Sequence, residues 1–228
     1  MIQAVIFDVD GTLLDTEIII MQAWKVAGKL MGYNISDSLL KRTRAINVKE
    51  AAKIFETEIG NGFIYNEVRV ERVIIAEKMI RQKSPILKPG ALDLLNYLKK
   101  LNYPLAVASS GDEATTILHL TLSDIRDRFD VIVGGDMIQH GKPQPDIFLK
   151  AAELLHVAPE QCMVVEDSSA GIKAAHAAGM MPILIPDCIP AGKDTIALSY
   201  GVFDNLNKLI PLIASLLKKY PILNLAEI

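Results

Sequence analysis

The sequence has few cysteines, few aromatic residues and no long apolar run. Its two cysteines, Cys162 and Cys188, form no CxxC pair, which argues against a disulfide framework and favours a reducing, cytoplasmic compartment. No stretch approaches the roughly 18 apolar residues of a membrane span, and the N-terminus lacks the basic flank and apolar core of a signal peptide. The near balance of 24 basic and 27 acidic residues gives no strongly cationic surface. We therefore expect neither a membrane nor nucleic acid among the partners.

Short apolar runs, bounded by Gly, Pro, Asp or Ser, recur along the chain and predict strands. Half of the residues are hydrophobic, and helical patterns separate the later runs. Strands that alternate with helices pair in parallel through right-handed crossovers, which predicts an α/β fold with a doubly wound, Rossmann-like parallel sheet. The predicted strands are Ala4–Phe7, Leu105–Ala108, Val131–Val133, 163–165 and 183–185, and the predicted helices here are 114–122, 146–155, 170–178 and 206–218.

The segment 16–85 breaks this alternation. It contains three helical patterns, at 18–31, 48–59 and 68–81, and no run that resembles the other strands. Because a block of this length is too long for an ordinary crossover, we predict an inserted all-helical cap at 16–85. The α/β catalytic core would consist of 1–15 and 86–228. The two linkers between them would lie side by side and act as a hinge over the strand ends.

Residues that follow the predicted strands are the candidates for a functional site, because open α/β sheets bind ligands at the carboxyl ends of their strands. Asp8 and Asp10 follow the first strand, and Glu166 and Asp167 follow the fourth. Carboxylates suit Mg²⁺, which usually keeps waters and a substrate phosphate as its other ligands. Asp8 and Asp10 share a face of an extended segment, so one can attack a phosphate while the other moves a proton. The same rim offers Thr12, Ser109, Ser110 and Lys142.

Four stretches, in this order, resemble the motifs of the haloacid dehalogenase superfamily. DVDGT at 8–12 resembles the DxDx[TV] signature, and VASSG at 107–111 resembles the second motif, a strand ending in Ser or Thr. GKPQPDIF at 141–148 resembles the third motif with its lysine, and VVEDSSAGIKAAHAAGM at 164–180 resembles the fourth with its paired acids. The helical insert after the first motif is similar to the α-helical cap of the β-phosphoglucomutase-like and sugar-phosphate phosphatase branch.

This resemblance implies a magnesium-dependent phosphatase that forms an aspartyl-phosphate on Asp8. Asp8 would also bind the metal, and Asp10 would be the general acid/base with its backbone carbonyl on the metal. Asp167 would be the main metal ligand of the fourth motif, and Glu166 would assist directly or through water. The phosphate would be held by Thr12, Ser109, the Ser110 amide and Lys142, the last of which would also offset the charge of Asp8.

The expected substrate is a small phosphate ester, most plausibly a sugar phosphate, and the expected assembly is a monomer or weak dimer. Ile20 stands where mutases of the branch carry a histidine, and Lys49 lies near their arginine position. DTE at 15–17 resembles the D-[ST]-E of many sugar-phosphate phosphatases. These features favour a phosphatase over a β-phosphoglucomutase-like isomerase. The isomerase, a dehalogenase and a non-catalytic binding protein on the same scaffold stay open as alternatives.

Overall fold

The computed structural model describes residues 1–43, 48–60, 62–84, 86–187 and 191–219, and Cys188 lies outside them. The chain separates into two compact units. One is an α/β unit that takes Met1–Leu14 and the chain from Ile86 onward, and the other is a helical unit, Asp15–Pro85. Every helix within the described ranges is too short or too polar to serve as a membrane span.

Six parallel strands form one sheet in the α/β unit, which confirms the predicted fold class. Their order is β3-β2-β1-β4-β5-β6. The chain runs outward from β1 on one side and then returns to lay β4 on its other side. The switch in strand order therefore lies between β1 and β4, where such sheets bind ligands. The strands are β1 (Ala4–Phe7), β2 (Leu105–Ala108), β3 (Val131–Val133), β4 (Cys162–Glu166), β5 (Met181–Leu184) and β6 (Gly201–Val202).

Ten α-helices accompany the strands in the described residues. The first four belong to the helical unit and the other six to the α/β unit. They are α1 (Glu17–Leu30), α2 (Asp37–Thr43), α3 (Val48–Ile59), α4 (Tyr65–Gln82), α5 (Ala91–Lys100), α6 (Glu113–Leu122), α7 (Asp146–Leu155), α8 (Ser169–Ala177), α9 (Lys193–Leu198) and α10 (Leu209–Lys219).

Both faces of the sheet are buried, as the apolar strands predict. Successive side chains of β1 point to opposite faces. Val5 and Phe7 join one core cluster together with Leu94 of α5, whereas Ala4 and Ile6 join a second cluster that contains residues of α7 and α8. The four residues of β1 are at most 1% exposed, so the strand that carries the site is fixed from both sides.

The helical unit has its own core, in which four buried aromatic rings pack together with aliphatic side chains. The centroid of Trp24 in α1 lies 4.8 Å from that of Phe55 in α3 and 5.3 Å from that of Tyr65 in α4. Phe63 stacks on Phe55 at 5.8 Å. Five of the thirteen aromatic residues of the chain lie in this unit, where a few large side chains fill the space between short helices.

Several elements differ from the sequence predictions. The strands β4 and β5 are present, but β5 begins at Met181, two residues earlier than predicted. The edge strand β6 has only two residues and the helix α2 only seven, so neither shows enough periodicity to be predicted. The helix α5 was not predicted, although its buried residues Ala91, Leu94, Leu95 and Leu98 follow the helical period.

Candidate active site

Lys142 is the centre of a buried charge cluster at the carboxyl edge of the sheet. Its Nζ donates hydrogen bonds to Asp8 Oδ1 at 2.6 Å, to Glu166 Oε1 at 2.7 Å and to the Ala108 carbonyl at 3.2 Å. The three side chains are 5%, 10% and 1% exposed, in the order Lys142, Asp8 and Glu166. Asp8 directly follows β1, Ala108 ends β2 and Glu166 ends β4. The lysine thus joins the three neighbouring strands at the switch point.

Asp167 completes an acidic triad with Asp8 and Glu166. One carboxylate oxygen from each of these residues lies within 4.8 Å of the other two. The fully buried Thr12 donates its hydroxyl to Asp167 Oδ1 at 3.4 Å. Three oxygen donors this close together fit a hard divalent cation such as Mg²⁺, so the donor set agrees with the metal that the sequence motifs imply.

The loop of the first motif approaches Asp167 so closely that only glycine fits at position 11. Gly11 has a φ of +90°, which disfavours any side chain. A methyl group there would overlap the Asp167 carboxylate. Gly11 therefore lets the loop that carries Asp8 and Asp10 lie against the end of β4.

Glu166 uses both of its oxygens within the α/β unit. Oε1 accepts from Lys142, and Oε2 accepts from the backbone N–H of Ser168 at 2.7 Å. Ser168 in turn caps α8 by accepting from the Gly171 N–H at 3.0 Å. Gly171 packs so tightly against Glu166 that an added methyl group would overlap its carboxylate. Glu166 thus ties the lysine to the start of α8.

Two acids of the cluster, Asp8 and Asp167, hold their protons more tightly than usual. Burial raises the pKa of Asp8 to about 7, with Lys142 opposing and Glu166 reinforcing the shift. Burial also raises the pKa of Asp167 to about 9, and the charges of Asp8 and Glu166 act in the same direction. Burial alone would lower the pKa of Lys142, but these carboxylates raise it above its ordinary value. The cluster contains one lysine and three carboxyl groups, so a bound cation would balance the excess of negative charge when these groups ionise.

The loop after β2 is held by the loop after β3. Ser109 is buried, and its Oγ accepts from the Gly111 N–H at 3.1 Å. The Gly135 N–H donates to the Gly111 carbonyl at 2.7 Å, and Asp136 Oδ1 accepts from the Glu113 N–H at 2.9 Å. Asp136 therefore fixes the start of α6, a role that sequence analysis did not assign to it.

The predicted site residues all lie at the carboxyl edge of the α/β unit. Asp8, Lys142, Glu166, Asp167 and Thr12 are joined by the contacts given above. The two others of the first and second motifs, Asp10 and Ser110, are exposed at the same edge. One pair that sequence analysis missed also lies at this edge, Lys88 with Asp187; the sequence contains no local signal for it because its partners are 99 positions apart.

Comparison with known proteins agrees with this geometry. A family model described as haloacid dehalogenase-like hydrolase matches residues 5–185. The phosphorylated carbohydrates phosphatase of Thermotoga maritima is 33% identical over 180 residues, 78% of this chain and 82% of that protein. The β-phosphoglucomutase of Bacillus subtilis is 34% identical over 191 residues, 79% of this chain and 82% of that protein.

Similarity extends to the whole fold. The crystal structure of β-phosphoglucomutase from Clostridium difficile superposes with a TM-score of 0.74 at 27% sequence identity, covering 96% of this chain and 99% of that one. The superfamily and branch predicted from the four motifs are confirmed. With the family model spanning far more than half of its residues, the chain belongs to the haloacid dehalogenase-like hydrolase family.

Proposed function

We propose that the protein is a magnesium-dependent phosphatase of small phosphorylated metabolites, with sugar phosphates as the first class to test. The observation that carries the proposal is the buried contact of Asp8 with Lys142, beside the oxygens of Glu166 and Asp167 at the switch point of the sheet. A carboxylate held by a lysine suits attack on a phosphate, and the family and its phosphatase relative support a phosphoric monoester hydrolase.

In the proposed reaction Asp8 attacks the phosphorus of the ester. The bond from phosphorus to the leaving oxygen breaks, and Asp10 donates a proton to that oxygen. The resulting aspartyl-phosphate on Asp8 is then hydrolysed by a water molecule from which Asp10 takes the proton back. Asp10 can exchange protons with water because its side chain is exposed.

Lys142 and the loop after β2 would neutralise and hold the phosphoryl oxygens. The lysine already contacts Asp8, so its charge lowers the repulsion between that carboxylate and an incoming phosphate dianion. Thr12, Ser109 and the Ser110 amide are the proposed further phosphate contacts. Asp8, Asp10, Glu166 and Asp167 would hold Mg²⁺, which supplies positive charge to the phosphoryl group when bound.

The helical unit is proposed as the cap domain that selects the substrate. We assign 16–85 to this cap and 1–15 with 86–228 to the catalytic core, following the subgroup that the sequence resembles. The relative that is named a phosphatase of phosphorylated carbohydrates makes sugar phosphates the natural first panel. The relatives named β-phosphoglucomutase keep phosphoryl transfer between sugar hydroxyls as an outcome that the assay must detect.

The test is a phosphate-release screen with and without Mg²⁺ over sugar phosphates, polyol phosphates, nucleotides and phosphoglycolate. We expect wild type to release phosphate from at least one sugar phosphate, and Asp8→Asn to abolish this release while the variant remains folded. Lys99→Met is a matched control, because Lys99 forms an exposed pair with Asp130 in the same unit. Wild-type turnover in Asp8→Asn would disprove the assigned nucleophile.

A second assay, run beside this screen, distinguishes the alternative functions. Incubation of β-glucose 1-phosphate with a catalytic amount of a bisphosphate primer would give glucose 6-phosphate without free phosphate if the protein were a mutase. No phosphate release and no isomerisation with any compound would favour a non-catalytic binding protein. Either result would overturn the proposed phosphatase.

A further inference from the structure

A second ion pair, largely shielded from solvent, stands at the edge of the sheet that carries the acidic triad. Lys88 Nζ lies 2.5 Å from Asp187 Oδ1, and the two side chains are only 14% and 12% exposed. Asp187 lies just beyond β5, and its charge is close enough to Asp167 to add to the causes that raise the pKa of that residue, after burial, Asp8 and Glu166. The proposed reaction uses neither Lys88 nor Asp187.

The backbone of Lys88 is joined to the loop of the first motif. The Lys88 N–H donates to the Leu13 carbonyl at 2.8 Å, and Leu87 forms an antiparallel bridge with Leu14. The segment 86–88 begins the part of the chain that returns to the α/β unit after the helical unit. It therefore lies against Leu13 and Leu14, at the end of the loop that begins with Asp8.

Within that loop, backbone hydrogen bonds link Leu13 and Leu14 to the residues on either side of Asp10. The Gly11 N–H donates to the Leu14 carbonyl, and the N–H groups of Leu13 and Leu14 both donate to the Val9 carbonyl, each at 2.9 Å. A shift of Leu13 and Leu14 would thus move the turn between Val9 and Gly11. Asp10 is the residue that this turn carries.

A buried ion pair is a poor device for stability alone, because the cost of desolvating both charges offsets most of their attraction. The pair joins two segments that are far apart in the sequence, 86–88 and the loop that follows β5, and so ties their positions to each other. This link between the segments, more than any gain in stability, points to a positioning role.

We propose that Lys88, anchored by Asp187, is a positioning residue that holds the first-motif loop so that Asp10 meets the leaving oxygen. The proposal deepens the proposed phosphatase function and rests on it for its kinetic test. Lys88→Met removes the anchor, Lys88→Arg keeps a cation that can bond Asp187, and Lys99→Met removes an exposed lysine of the same unit.

We expect Lys88→Met to lower kcat by about ten- to a hundredfold, the scale of a misplacement of about 1 Å, with a much smaller change in KM. Lys88→Arg should recover most of kcat, and Lys99→Met should match wild type. Asp187→Asn keeps an oxygen acceptor for Lys88, so its kcat should lie between that of Lys88→Met and that of wild type. A Lys88→Met enzyme with wild-type kcat, or one whose loss Lys88→Arg does not rescue, would overturn the proposal.

Hydrogen–deuterium exchange gives a second measurement that does not need turnover. In Lys88→Met the amides of 9–14 should exchange faster than in wild type, while those of β2 stay protected. Unchanged exchange at 9–14 would contradict the positioning role even if kcat fell. If the wild-type protein releases no phosphate, the proposed function fails, but the exchange result still decides whether Lys88 holds the loop.

Discussion

The two units of the molecule differ in one feature: a buried charge cluster lies in the α/β unit, beside exposed pairs of the kind that the helical unit also carries. In the α/β unit, Asp8, Lys142 and Glu166 are buried at the ends of three strands and contact one another. In the helical unit, the described pair of Lys25 with Asp37 lies on the surface, with side chains 44% and 58% exposed, and the core packs aromatic rings together with aliphatic side chains. Surface pairs are worth little to stability, whereas buried charges need partners or a ligand. The contrast separates the unit to which we assign the chemistry from the unit that carries none of the four sequence motifs.

The largest expected difference between the two units is in the effect of replacing one lysine in each of them. Lys142→Met should abolish measurable phosphatase turnover, because the phosphate and Asp8 lose their counter-charge. It should also lower the free energy of unfolding at pH 8 by about 3 to 5 kcal/mol, the usual effect of removing one partner from a buried pair. Chemical denaturation and phosphate release measure both effects.

Lys25→Met is the matched change in the helical unit. It removes one partner of an exposed pair, so the free energy of unfolding should change by less than about 1 kcal/mol. If Lys142→Met and Lys25→Met lower the free energy of unfolding equally, burial does not make the Lys142 contacts more important to stability than an exposed pair.

A second difference concerns pH and metal. The pKa values of Asp8 and Asp167, raised to about 7 and about 9, mean that the folded protein binds more protons than the unfolded chain above pH 4. Without metal, the free energy of unfolding should therefore fall as pH rises from about 4 toward 9. Mg²⁺ competes with these protons, so saturating Mg²⁺ should stabilise the protein more at pH 8 than at pH 5.

Thermal unfolding at both pH values, with Mg²⁺ or with EDTA, measures this linkage. At pH 8 and a concentration of about 100 Kd we expect about 2 to 3 kcal/mol of stabilisation. Asp167→Asn should remove most of it, whereas Asp37→Asn in the helical unit should leave it unchanged. A Mg²⁺ effect that is as large at pH 5 as at pH 8 would exclude the acidic triad as its source.

The sequence predicted what depends on local order and missed what depends on long-range contacts. Asp8 and Glu166 could be found because each follows an apolar strand, and parallel strands bring their carboxyl ends to one edge. The hydrogen bond that the Glu113 N–H donates to Asp136 joins the start of α6 to the segment after β3, and only the folded chain fixes their approach. The pair of Lys88 with Asp187 is separated by 99 positions and has no motif. The start of β5 was misplaced because Met181 and Pro182 lack the β-branched pattern of the other strands.

The smallest predicted difference comes from one glycine in a helix of each unit. Replacing a helical glycine by alanine ordinarily stabilises a protein by about 0.5 to 1 kcal/mol. At Gly171 in α8 the new methyl group would overlap the buried Glu166 carboxylate, which bonds both Lys142 and the Ser168 N–H. Gly171→Ala should therefore destabilise the protein by about 1 to 3 kcal/mol and lower turnover, because Glu166 must move.

Gly28 in α1 is the matched position of the helical unit. A methyl group there would lie 2.7 Å from Cδ1 and 2.8 Å from Cγ1 of Ile35, so an apolar side chain must shift there, whereas at Gly171 a hydrogen-bonded carboxylate must. The cost of the Ile35 shift should offset the gain in helix propensity, so Gly28→Ala should change the free energy of unfolding by less than about 1 kcal/mol and leave turnover intact. If Gly171→Ala proves as mild as Gly28→Ala in both measurements, Glu166 has freedom to move, and its two hydrogen bonds do not fix Lys142 for the reaction.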